Sequence, residues 1–205
     1  MQNSQNETQQ NSLFNRINNA TRLLFSKLWT DNARINSHNK DNFRKVQNLE
    51  YVGKRALICG SSPSLNEHLS FIKQYRDKFE IWCADSAFPV LYNADIEPDF
   101  VMSIDASPEL ASCFAFKDFS KCPNTKFVAA TTTAPAVLSC WKPKNIYLYN
   151  LGDPKVPEFE TAQRLFPNFG VIASKYNVGE FMVYFATKFA SYEEIVLTGM
   201  DFCYK

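Results

Sequence analysis

Blocks of apolar and polar positions alternate along the chain and mark out its elements. Residues 1–12 are almost wholly Gln, Asn, Ser and Thr, a composition that cannot bury enough surface to fold alone. Over residues 13–29 the spacing Leu13, Phe14, Ile17, Ala20, Leu23, Leu24, Leu28 is that of an amphipathic helix. Residues 30–50 turn polar again. Residues 1–50 therefore read as an extension: a disordered start, one helix that docks on the domain or on another subunit, and a linker. From Tyr51 onward, apolar runs of strand length alternate with helical patterns. Strands are expected at residues 56–59, 79–84, 100–104, 126–130, 145–149 and 194–198. Helices are expected at 65–75, 90–94, 108–116, 135–139, 159–166 and 177–190. This alternation predicts an α/β fold over residues 51–205, a Rossmann-like, mostly parallel sheet with helices on both faces.

In such sheets ligands sit beyond the carboxyl ends of the strands, so the strand exits are where chemistry is expected. The first strand exits into Gly60-Ser61-Ser62-Pro63-Ser64. Gly60 can take a positive φ or let a ligand close to the backbone, and Ser64 with Glu67 forms a candidate capping box. The unpaired amides of a helix start favour anions, which makes this turn a candidate phosphate site. It also reads as an ordinary strand-to-helix turn. Three other exits carry an acid: Asp85, Asp105 and Asp201. Each alone is a good helix N-cap; together on one rim they suggest a polar site, with a divalent cation or sugar hydroxyls as partners. Asn177-Val178-Gly179 opens the last long helix in the same manner as the first turn.

Composition narrows the classes. A net charge of +1 argues against nucleic acid or an anionic membrane as partner. The six cysteines show no CxxC pair, and several lie in apolar runs, which suits a reduced cytoplasmic setting. No apolar run reaches membrane-spanning length. With two histidines, His38 and His68, multi-histidine metal sites are not expected. The chain stops on Cys203-Tyr204-Lys205, just after a strand exit. Open sheet faces need cover, so the domain is expected to be truncated there.

Taken in order, Gly60-Ser61-Ser62-Pro63-Ser64-Leu65, Ala84-Asp85-Ser86-Ala87, Pro98-Asp99-Phe100-Val101-Met102-Ser103-Ile104-Asp105, Asn177-Val178-Gly179 and Ile195-Val196-Leu197-Thr198-Gly199-Met200-Asp201-Phe202 form a pattern. It resembles the 6-hydroxymethylpterin diphosphokinase-like (MptE-like) domain, shared with the bacterial motility accessory factors that glycosylate flagellin. A weaker resemblance is to bacterial sialyltransferases that use CMP-sialic acid. Those carry a histidine base beyond the Gly-x-Asp-Phe segment, and this chain ends before any such residue.

The resemblance implies three readings. The first is a glycosyltransferase taking a CMP-nonulosonic acid to flagellin or a surface glycan. In it Gly60, Ser61, Ser62, Ser64, Asn177 and Gly179 hold the donor, Asp85 and Asp105 contact the nucleotide, sugar or a cation, and Asp201 orients the acceptor or a base. Lys175 or Tyr176 would stabilise the leaving phosphate. The second is a diphosphokinase in which ATP binds the glycine turn and Asp85 and Asp105 hold Mg²⁺. The third is a non-catalytic nucleotide-binding or scaffolding domain, assembling as a homo-oligomer through the N-terminal helix.

Overall fold

The structure, a computed structural model, describes residues 2–115, 117–175 and 177–201, without the side chains of residues 2–15, 17 and 18. Its elements in chain order are α1 (Gln2–Ser37), β1 (Arg44–Lys45), β2 (Arg55–Cys59), α2 (Ser64–Gln74), β3 (Glu80–Ala84), α3 (Phe88–Asn93) and β4 (Phe100–Ser103). Then come β5 (Lys126–Ala130), α4 (Pro135–Leu138), β6 (Ile146–Gly152), α5 (Pro157–Leu165), β7 (Val171–Ala173), α6 (Val178–Phe185) and β8 (Glu194–Thr198). The sheet runs β1-β6-β5-β4-β3-β2-β8 with β7 also on β6, and every pairing is parallel.

Strands buried on both faces read as continuous apolar runs, and β2, β3 and β5 do so. Register puts Trp82 beside Phe100 and Ala130 beside Tyr149 on one face. There α6 covers them, with Phe185 5.4 Å from Trp82 and Phe181 stacked 5.1 Å from Tyr149. Leu57 and Phe127 point to the opposite face, where α2 packs. On that side Trp141 stacks on Phe127 at 4.8 Å, inside a cluster with Phe88 and Phe114. Helices thus lie on both faces. Among the described residues no helix is long and apolar enough to cross a membrane, and Cys59, Cys83, Cys113, Cys122 and Cys140 are free thiols.

Residues 30–50 correct the expected linker. Arg44 and Lys45 pair with Tyr147 and Leu148 of β6, and Val46 and Leu49 are buried. The polar segment is held by backbone pairing, which side-chain polarity does not report. The expected helix is also longer, from Gln2 to Ser37, since no Gly or Pro interrupts it. Its buried face is not the Leu stripe, because Leu23 and Leu24 are 83% and 73% exposed; Asn32, Ala33 and Asn36 are buried instead. The side chains of Leu13, Phe14 and Ile17 lie outside the described residues. At the other end the expected long helix is α6 followed by one π-helical turn, Ala186–Ala190.

Candidate functional site

Because all strands are parallel, their carboxyl ends share one rim. Strand order reverses at β2: the chain goes from β2 to β3 on one side and returns as β8 on the other. At that switch point two turns interlock. The Gly60 amide donates to Thr198 O (2.8 Å) and the Ser62 amide to Gly199 O (2.9 Å). The Ser64 amide donates to Asp201 Oδ2 (3.1 Å), and the Ser64 hydroxyl donates to Asp201 Oδ1. A Cβ on Gly60 would lie 2.3 Å from Gly199 O, and one on Gly199, at φ +64°, 2.2 Å from Gly60 O. Gly60 is thus required for one backbone turn to approach another.

Ser64 also differs from expectation. It is the first residue of α2, not its cap, and its hydroxyl turns to Asp201 rather than to the helix start. The 137-residue contact replaces the local capping box because a carboxylate makes a stronger, charge-assisted hydrogen bond. Ser61 is exposed at the apex of the turn. Asn177 caps α6 as expected, accepting the Glu180 amide at 2.8 Å. Gly179 reaches the same cluster, since a Cβ there would lie 3.2 Å from Met200 Cε. Lys175 Nζ lies over the Tyr184 ring, 4.3 Å from its centroid, and Tyr176 lies outside the described residues.

Asp85 and Asp105 form a second cluster, at the exits of β3 and β4. Asp85 is 5% exposed, and its Oδ1 accepts the Ser86 amide at 2.7 Å. Burial pushes its carboxyl up to about 6, and the neighbouring Asp105 charge pushes the same way. Ser103 and the Ser86 amide oppose the shift. Asp105 Oδ1 accepts the Ser107 amide at 2.8 Å. Tyr149, buried beneath, donates from its hydroxyl to Ser103 O at 3.2 Å.

One group of residues escaped the reading of strand exits. The exit of β5 is Thr131-Thr132-Thr133, all fully buried. Thr131 Oγ1 donates to Asn150 Oδ1 at 2.9 Å, whereas the Thr132 and Thr133 hydroxyls have no partner. Buried polar groups are nearly always hydrogen-bonded, so two adjacent buried hydroxyls without a partner, Thr132 and Thr133, mark a place for bound water or a polar ligand. Three threonines after an apolar run are a signal in the sequence, although they look like an ordinary polar loop.

As for metals, among the described residues no three His, Cys, Asp or Glu side chains converge. Asp85 and Asp105 supply two carboxylates, each with one oxygen already engaged by an amide. Mg²⁺ takes one or two carboxylates and completes its sphere with water and phosphate oxygens.

The sequence model of the family described as 6-hydroxymethylpterin diphosphokinase MptE-like matches residues 29–205. This chain belongs to the MptE-like family. The matched span of this MptE-like chain takes in the Asn32–Asn36 turn of α1 as well as both clusters. An uncharacterized protein of Treponema pallidum (strain Nichols) is 38% identical over 82 residues, which are 40% of this chain and 39% of that protein. A solved MAf glycosyltransferase from Magnetospirillum magneticum AMB-1 shares the fold, with a TM-score of 0.64 at 19% identity over 84% of this chain. The match spans 27% of that longer chain.

Proposed function

We propose that this MptE-like domain binds a nucleotide-activated sugar, a CMP-nonulosonic acid, and belongs to a cytoplasmic transferase that delivers it to flagellin or to a surface glycan. The observation that carries the reading is the pair of polar clusters on one carboxyl rim, with the buried Asp85 at the β3 exit and two buried, unpartnered hydroxyls, Thr132 and Thr133, at the β5 exit. The likeness to a glycosyltransferase fold supports it. In this reading the exposed Ser61 and the start of α6 at Asn177 and Gly179 face the donor phosphate. Asp85, Asp105, Thr132 and Thr133 take the nucleoside and sugar hydroxyls. Asp201, bonded to Ser64, holds the first turn in shape and orients the acceptor side. Such a transfer depends on positioning and on stabilising the leaving phosphate.

A second reading is a diphosphokinase using ATP and Mg²⁺, favoured by the family description and by the Asp105 charge that reaches the buried Asp85. Mg²⁺ would bring charge compensation to those two carboxylates, and the chain's own role would be to orient the triphosphate.

Thermal-shift titrations with CMP, CDP, UDP, GDP and ATP, each with and without Mg²⁺, separate the readings. A ligand at a hundred times its Kd stabilises by about 2.7 kcal/mol. Stabilisation by CMP without a metal requirement is expected. A response to ATP that needs Mg²⁺ would replace the donor reading by the diphosphokinase. Silence towards every nucleotide would leave the scaffolding role, with α1 as the assembly element.

A further inference from the structure

Helix interiors rarely favour asparagine, and a buried amide is costly unless hydrogen-bonded. α1 nevertheless buries two, Asn32 and Asn36, one turn apart and 6% and 4% exposed. Each side-chain amide is doubly engaged. Asn32 Nδ2 donates to Ala106 O (2.9 Å) and to Thr132 O (3.0 Å). Asn36 Nδ2 donates to Thr131 O (3.0 Å) and to Thr133 O (2.9 Å). Three consecutive carbonyls of the β5 exit, and one from the β4 exit, are therefore fixed by a helix that lies about a hundred residues earlier in the chain.

Docking alone does not call for amides. Trp29 already packs on Phe159 of α5 at 5.0 Å, so the docking of α1 does not rest on the amides alone. What the amides add is direction. They turn three successive peptide planes towards α1, while the Thr131 and Thr133 amides are held from the other side by Tyr149 O and Ala130 O. They also tie the β4 exit, one residue after Asp105, to the β5 exit at Thr132.

We infer that Asn32 and Asn36 are positioning residues of the nucleotide site. They set the orientation of the β5 exit and its distance from Asp105, and so the place of the Thr132 and Thr133 hydroxyls. This rests on the donor-site reading above, and makes α1 part of the site without touching the ligand.

The test compares the wild-type chain with the double variant Asn32→Leu/Asn36→Leu, which keeps apolar packing and removes the donors, and with Trp29→Ala, which weakens helix docking and keeps them. Two quantities are read: hydrogen exchange of peptides covering residues 105–107 and 131–134, and CMP affinity by calorimetry. The expected result is faster exchange confined to those peptides, with CMP affinity down about tenfold or more, because small displacements in a site are felt strongly. Trp29→Ala should lower the melting temperature and leave CMP affinity near wild type. Unchanged exchange or unchanged affinity in the double variant overturns the inference, as does an equal affinity loss in Trp29→Ala. A wild-type chain that binds no CMP overturns the donor reading, and the positioning role falls with it; binding that ignores the double variant overturns the positioning role alone.

Discussion

Asp85 shows how a single carboxylate carries both a cost and a use. Its carboxyl lies near 6 in the fold against 3.8 for the free group, so the folded chain holds the proton more tightly than the unfolded one. Stability from this group is complete below about pH 4, declines as pH rises towards 6, and is flat above that. Each tenfold difference in proton affinity between the folded and unfolded chain is worth about 1.4 kcal/mol, so the loss is about 3 kcal/mol. Asp85→Asn is accordingly expected to melt higher than wild type at pH 8, with the two converging at pH 4. The same variant should lose the CMP-dependent shift in melting temperature, the signature of a residue kept for binding at the expense of stability. Asp85 and Asp105 were legible in the sequence as acids at strand ends. The buried state of Thr132 and Thr133 was not, because the helix that bonds their carbonyls lies 97 to 100 positions away in the sequence.

At the level of elements, the glycines around the switch point differ in what a side chain there would meet. Gly199 needs both its positive φ and the absent Cβ, whereas Gly179 would meet only the mobile end of Met200 and its own cap at 3.2 Å. Gly199→Ala is expected to destabilise by more than about 3 kcal/mol in urea unfolding. Gly179→Ala should cost less than about 1 kcal/mol in the same measurement, since a flexible side chain yields. The core strands could be read from their apolar runs: β5 and β8 match the expected limits, and β2 and β3 differ by one residue. β1 and β7, two and three residues long, carry too little pattern to be seen. The distinctive Pro98-Asp99 stretch has a structural explanation away from the rim. Asp99 Oδ2 accepts the Ile81 amide at 2.7 Å and meets Arg76 at 2.9 Å, fixing the amino end of β4 against β3.

Over the whole molecule, the parallel sheet brings together groups far apart in sequence: β4 and β5 exits clamped by α1, and β2 closed by β8. Parallel strands need long crossovers, so almost nothing at the rim is local. The Ser64–Asp201 pair joins positions 137 residues apart. During synthesis β2 emerges early and its edge stays open until β8 has left the ribosome, while loop closure over that length is slow. Nascent chains arrested before Glu194 should therefore leave the β8-facing amides of β2 unprotected in pulse-labelled exchange while those facing β3 stay protected, and should offer an unpaired edge to chaperones or to other copies. On the donor-site reading, nucleotide uptake would then report that β8 has closed on β2, since the turn that faces the donor is held by the turn after β8.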